Sequence, residues 1–373
     1  MDDVRYWVAF NCVQGIGPVR VRALLDYFGS LEAAWHADLT KLAQAGLDRR
    51  ALTQLGATRA SLDLDAQMDR LSRLGVRTIT WEDTDYPERL RQINASPPVL
   101  YVKGELKPDD EWAVAVVGTR SPTSDGKEIT RRLVTDMAQA GVTIVSGLAR
   151  GIDGQAHQAA LDAGGRTLAV LACGLDTVYP PEHRALAQRI AAQGALLSDY
   201  PPGTRPDRGN FVPRNRIISG LSRGVLVVEG RPGSGSLWTA KLALEQGREV
   251  FAVPGNILRK TSHVPNQLIR DGATAVLDAN DILEELNLTR ITEHAEARAA
   301  LPENEDEARL LQVMSSEPHH VDEICRLTGL PIAQVTSTLA LMELKGLVRQ
   351  TGGMRYSALR EQPARYTVRY TLD

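Results

Sequence analysis

Between residues 112 and 285 the chain alternates between short β-rich apolar runs and segments of helix length. The runs are Ala113–Val117, Thr143–Val145, Thr167–Leu171, Ala195–Leu197, Val225–Val228, Val250–Val253 and Thr274–Leu277. Such alternation predicts a mostly parallel sheet with helices on both faces. Central parallel strands are buried on both sides, which explains why these runs are continuously apolar. Val76–Trp81 predicts a further strand, so the sheet domain is expected to span 66–285.

The flanks read differently. Residues 1–65 predict a small helical domain in which Val13-Gln14-Gly15-Ile16-Gly17-Pro18 makes a tight turn between two helices, with Pro18 suited to the first turn of the second. This segment resembles a helix-hairpin-helix element and equally a sterile-alpha-motif bundle. Residues 286–305, acidic and broken by Pro302, predict a linker. From 306 to 373, three helical patterns (Ala308–Met314, Val321–Leu327, Ile332–Leu344) precede a Gly352-Gly353 hairpin, the order of a winged helix.

In an open parallel sheet, ligands bind beyond the carboxyl ends of the strands. Three runs exit there into small or glycine-rich turns: Gly118-Thr119-Arg120, Ser146-Gly147-Leu148-Ala149-Arg150-Gly151, and Glu229-Gly230-Arg231-Pro232-Gly233-Ser234-Gly235-Ser236. Glycine lets backbone approach a ligand closely, and a following helix N-terminus offers amides to an anion. Three such turns on one sheet edge, two with an internal arginine, point to phosphate. The chain carries a net charge of −3, so any polyanion site must be local. Residues 113–278 hold 19 Lys+Arg against 14 Asp+Glu. Residues 205–223 hold Arg205, Arg208, Arg214, Arg216 and Arg223 against Asp207 alone. Within that stretch Phe211-Val212-Pro213-Arg214-Asn215-Arg216 places an aromatic and two arginines just ahead of an apolar helical pattern. Guanidinium for a phosphate and an aromatic face for a base fit an unstacked nucleic acid. A plain helix start with surface arginines fits the segment as well.

Other chemistries fit poorly. No G-x-x-x-x-G-K-[ST] loop is present, since Gly126-Lys127 runs into Glu128, and Gly233-Ser234-Gly235 continues to Trp238 where a dinucleotide fingerprint needs glycine. Asp153 and His157, four apart, fit either an acid–base pair or a structural hydrogen bond. His319-His320 has no third ligand at useful spacing, and Cys12, Cys173 and Cys325 are isolated, so no metal or other cofactor is expected. The N-terminus lacks a basic start with an apolar run, and no stretch approaches the ~18 apolar residues of a membrane span. A cytoplasmic protein is expected. The winged-helix segment carries eight acidic and eight basic residues, and its recognition helix has Lys345 against Glu343, a poor set for major-groove reading.

Several motifs in order resemble the DprA/Smf family: Val114–Arg120, Ser146–Asp153 (SGLARGID), Cys173-Gly174-Leu175-Asp176, Phe211–Ser222 (FVPRNRIISGLS), and Gly235-Ser236-Leu237 with Glu245-Gln246-Gly247-Arg248. The resemblance covers the whole sheet domain and implies an extended Rossmann-like fold. It implies sequence-independent binding of single-stranded DNA, homodimerisation, and loading of the RecA recombinase in natural transformation, without catalysis. Other competence or single-strand-binding proteins are further partners of the kind it suggests. The single-strand site it implies comprises Gly118, Thr119, Arg120, Ser146, Gly147, Arg150, Gly151, Phe211, Arg214, Asn215, Arg216, Ser234, Gly235, Ser236 and Lys241. A dimer contact is expected through exposed Leu268 or Ile269. One departure from the family pattern is Pro181-Glu182-His183, where asparagine is common at the third position. Two alternatives stand beside this reading. One is a LOG-like phosphoribohydrolase, although Thr239 occupies its glutamate position. The other is a winged-helix transcription regulator.

Overall fold

Six of the seven β-rich runs form strands buried on both faces, and the seventh forms a short, partly exposed strand at the sheet edge. In the computed structural model, which describes residues 3–288, 305–314, 318–344 and 348–358, the strands are β1 (Arg77–Thr80), β2 (Val99–Gly104), β3 (Ala113–Val117), β4 (Thr143–Ser146), β5 (Thr167–Val170), β6 (Ala195–Ser198), β7 (Gly224–Val227), β8 (Glu249–Ala252) and β9 (Thr274–Ala275). They make one sheet of order β1-β2-β6-β5-β4-β3-β7-β8-β9. β3 to β9 run parallel, while β2 is antiparallel to both β1 and β6. β2 went unread in the sequence: it follows Pro97-Pro98 and stands outside the strand–helix alternation. The last strand is shorter than expected, and Leu277 lies beyond it, exposed.

The two faces are covered by different helices. Ala113, Ala115 and Val117 of β3 join the core under the helices Arg208–Gly220 and Gly235–Glu245. Val114 and Val116, one residue out of step, join the core under Ser124–Gln139 and Ile152–Asp162. This is the period-2 alternation of a strand. Toward β5, β6 and β2 the second face is covered instead by the helix Arg184–Gln193 and by the N-terminal helices.

Those N-terminal helices begin behind side-chain caps at Asp3, Ser30, Asp38 and Asp48, which accept amide hydrogens of the first turn. Pro18 opens the second helix after Gly17. Trp7, Phe10, Leu24 and Leu55 share one apolar core with Tyr101, Ala169 and Leu196 of the sheet. Residues Met1–Ile291 accordingly form one compact unit. The Tyr101 hydroxyl donates to Asn11 Oδ1 (2.9 Å), and Asn11 Nδ2 donates to the Asp199 carbonyl (3.2 Å).

The second unit, Thr292–Asp373, contains the helices Glu305–Val313, Val321–Thr328 and Ile332–Leu344 and a small antiparallel sheet. Its strands are β10 (His319–His320), β11 (Val348–Gly352) and β12 (Arg355–Ala358), in the order β10-β12-β11. Leu310, Ile324, Val335, Leu339, Met342 and Tyr356 fill its core. This is the expected winged helix. Most of the expected linker, including Pro302, and Lys345 of the recognition helix lie outside the described residues. Among the described residues no single helix is long and apolar enough to cross a membrane.

Candidate functional site

The order β6-β5-β4-β3-β7-β8 places the topological switch point between β3 and β7, where a doubly wound sheet ordinarily opens a ligand crevice. Here that crevice is sewn shut. Val228 N donates to the Val117 carbonyl (3.1 Å) and Thr119 N to the Glu229 carbonyl (2.8 Å), so the two strands stay paired beyond their ends. The buried Glu229 carboxylate then accepts from Thr123 N (2.9 Å), Thr123 Oγ1 (2.7 Å) and Thr261 Oγ1 (3.2 Å). A carboxylate in this position disfavours a phosphate at the switch point.

The open site lies beside it, over β3, β4, β5 and β6. Arg120, Ala149, Arg150, Tyr179, Pro180 and Phe211 line a shallow pocket, one or two from each strand exit. The Arg120 guanidinium carbon is 5.1 Å from the Phe211 ring centre, and the Tyr179 ring meets Phe211 edge-on at 5.8 Å. Arg120 is exposed and has no carboxylate partner among the described residues. Arg150 is also exposed but pairs with Glu182 (2.5 Å), which raises its affinity for its proton and lowers that of the carboxyl. Tyr179 and Pro180, joined by a cis peptide bond, were not among the predicted contact residues. Their position after a strand on the same edge was the available signal.

Phe211 sits differently from expectation. The sequence placed it ahead of a helix, whereas the helix starts at Arg208 behind the Asp207 cap and carries Phe211 and Pro213 within it. Three residues on, Arg214 is 3% exposed. Its Nη1 donates to the Gly147 carbonyl (2.8 Å) and to the Val170 carbonyl, and its Nε donates to Asn215 Oδ1 (3.3 Å). Burial pushes this guanidinium down and the neighbouring Asp153 carboxyl up, while each charge opposes the shift of the other. Arg214 is therefore beneath the pocket rather than in it. Arg216 is also committed, to Asp199 (2.8 Å) and to the carbonyls of Ala95 (2.7 Å) and Pro213 (2.9 Å). Asn215 is buried and reaches the Gly235 carbonyl at 3.4 Å.

The Ser146–Gly151 turn is shaped by packing. Ser146 is buried and donates to the Val116 carbonyl (2.6 Å), so its side chain faces inward. Gly151 has φ +83°, and a Cβ there would lie 2.3 Å from the Thr119 carbonyl oxygen. That contact draws the first two turns together, with Gly118, Thr119 and Arg120 against the second. Asp153 accepts from Gly147 N (3.2 Å) and Ala149 N (3.4 Å), and His183 Nδ1 meets the Leu148 carbonyl (2.9 Å). His157 does not partner Asp153; it lies wholly buried against Thr167 Oγ1 (2.7 Å). Neither sequence reading of the two as a pair holds: Asp153 bonds the loop amides on its own, and His157 bonds a different strand.

The third turn is set apart from the pocket lining. Ser234 and Ser236 hydrogen-bond each other (2.7 Å), and Gly235 begins the next helix. Lys241 lies six residues along that helix, its Nζ 5.3 Å from the exposed Trp238 ring. Thr239 is buried and donates back to the Gly235 carbonyl (3.3 Å), unable to act as an acid–base group. Leu268 was expected to be exposed but is 6% exposed, within the apolar core; Ile269 is half-buried.

The sequence family described as DNA recombination-mediator protein A matches residues 77–287, and the DprA winged helix domain matches residues 294–354. The protein Smf of Synechocystis sp. is 37% identical over 95% of this chain and 98% of its own length. The crystal structure of DNA processing protein A from Streptococcus pneumoniae superposes with a TM-score of 0.66 at 34% identity, over 76% of this chain and 99% of that one. DNA processing protein A from Helicobacter pylori, whose structure concerns its single-stranded DNA binding mode, gives 0.51 at 31% identity, over 57% and 96%.

Proposed function

Because this chain belongs to the DNA recombination-mediator protein A family, the DprA/Smf proteins, we propose that it binds single-stranded DNA without regard to sequence. In this reading it acts as a cytoplasmic homodimer, loads the RecA recombinase onto incoming DNA during natural transformation, and catalyses no reaction. The observation that carries the DNA-binding step is Arg120 over Phe211 at the mouth of a pocket built from four strand exits. An exposed guanidinium takes the backbone phosphate while the ring stacks on a base, worth ~1–3 kcal/mol per base. Stacking tolerates any base, because every base has a π-face. The structure from Helicobacter pylori concerns single-strand binding by a family member and supports the choice of ligand.

A dimer would need an apolar surface, and with Leu268 internal the side chains available near that sheet end are Ile257, Leu258 and Leu277, exposed 88%, 87% and 78%. Binding of a fluorescent oligothymidylate across a salt series tests the DNA-binding step. Steep weakening with salt is expected, since counterion release drives phosphate contacts. Affinity that ignores salt would rule it out. RecA loading is tested by whether the chain speeds RecA filament growth on DNA already coated with single-strand-binding protein.

A further inference from the structure

Resting on the single-strand reading above, we propose that the arginines of the 205–223 run do two separable jobs. Arg205 and Arg208 extend the strand's track as phosphate contacts, and Arg214 is a positioning residue that never meets the ligand. Sequence proximity makes the five arginines look like one patch, and the fold separates them. Arg223 stands just before β7, at the amino edge of the sheet, bonded to Glu111 and stacked on Trp112 at 3.9 Å. Arg216 is held by Asp199. Neither is available to a strand lying on the carboxyl edge.

Arg205 and Arg208 are exposed, and neither has a carboxylate partner among the described residues. The one acid of the run, Asp207, is occupied as a helix cap, its Oδ1 accepting from Gly209 N (2.7 Å). Arg208 is three residues before Phe211 in the same helix, so the two share a face. Arg205 lies in the loop that leaves β6 for that helix. Arg150 of the pocket is paired with Glu182, so a strand with a base on Phe211 and a phosphate at Arg120 has Arg208 and Arg205 as its next cations without a carboxylate partner among the described residues.

Arg214 has the opposite surroundings. Its bonds to the Gly147 and Val170 carbonyls tie the second turn to the end of β5, and its Cζ lies 5.9 Å from the Phe211 ring centre. Gly147 rests directly on it: a Cβ there would sit 2.6 Å from Nη2. Asp153, bonded to the amides of the same turn, supplies the countercharge. To reach a phosphate this guanidinium would have to abandon the turn that carries Ala149 and Arg150. Its effect on the ligand is to set the height of that turn and the floor below Phe211.

The test uses the full chain, a labelled oligothymidylate titrated across sodium chloride, and the same oligomer carrying 2-aminopurine to report stacking. Arg205→Ala and Arg208→Ala should each reduce the slope of log K against log salt by ~0.7, the share of one single-strand phosphate contact, and leave 2-aminopurine quenching at saturation intact. Arg214→Gln should keep the wild-type slope but lose quenching. Gly147→Ala, which displaces the guanidinium and keeps its charge, should reproduce that pattern even if Arg214→Gln fails to fold. A reduced slope with intact quenching in Arg214→Gln would make it a phosphate ligand and overturn the positioning role. Quenching unaffected by Gly147→Ala would overturn it as well. Unchanged slopes in both outer variants would overturn the track. A wild-type chain that binds no oligomer would instead sink the single-strand reading itself.

Discussion

The guanidinium carbon of Arg120 lies 5.1 Å from the centre of the Phe211 ring, joining the exit of β3 to the helix that follows β6. The cation keeps its outer side in solvent, and the ring keeps one face toward the pocket. The proposed binding mode uses these adjacent groups, from two remote parts of the chain, for a phosphate and its base.

Arg120→Ala should weaken binding roughly tenfold for every oligonucleotide composition and lower the salt slope by ~0.7–1, because a lost phosphate contact carries no base information. Fluorescence anisotropy with dT, dA and mixed oligomers checks this. A loss confined to one composition would mean that the residue reads bases.

Phe211→Ala should cost ~1–3 kcal/mol of binding without altering the salt slope, since stacking displaces no counterions. Phe211→Trp should retain binding. The ring is only partly buried, so a thermal melt should show little loss of stability in either variant. Full affinity in Phe211→Ala would mean that the ring only packs beneath the loop.

The parallel sheet was legible because buried strands need continuous apolar runs, and Ala113–Val117 or Val225–Val228 have few other uses. The sheet edge on which the pocket opens followed from the same reading, through Gly118, Gly147 and Gly151. What the sequence concealed was the direction of individual side chains. Arg214 and Arg208 occupy one helix and one charge run, yet one is interior and the other exposed. The difference is that position 214 faces the Gly147 and Val170 carbonyls across the helix–sheet interface, a contact no local pattern encodes. Leu268 was misplaced for the same reason: an apolar side chain at a sheet end packs inward or outward according to its neighbours. Glu229 is read in the sequence only as the start of the third turn, because a lone glutamate there has no motif; its structural role is visible only beside Thr123 and Thr261.

Glu229→Leu should destabilise the protein by about 2–4 kcal/mol. It removes a buried carboxylate and strands Thr123 N and two hydroxyls that have no other acceptor there. Urea denaturation measures the loss. A variant as stable as the parent would show that the β3–β7 closure rests on the backbone pairing alone.

His157 gives the fold an acid-sensitive element. Thr167 Oγ1 donates to the Ile144 carbonyl (2.7 Å), so the Nδ1–H of a neutral His157 donates to that hydroxyl oxygen, and Nε2 is buried without a partner among the described residues. Burial, with His183 and Arg214 nearby, pushes its pKa down to about 3. The unfolded chain, with an ordinary value near 6.5, binds the proton first, so stability is fully present above about pH 6.5 and falls as pH drops toward 3. Between pH 7 and 5 this contribution amounts to about 2 kcal/mol. His157→Gln should lose that much less stability than the parent over the same interval, compared by urea denaturation at both values. Equal losses would assign the acid sensitivity elsewhere.

Whether the carboxyl edge of this sheet holds single-stranded DNA through phosphates and stacked bases is tested most directly by competition between single- and double-stranded oligonucleotides of one sequence for the full chain, repeated from low to high salt. Strong preference for the single strand is expected, with affinity that falls linearly in log–log form with salt and loss of that preference in an Arg120→Ala, Phe211→Ala double variant. Equal affinity for duplex, or a preference that survives the double variant, would contradict this reading.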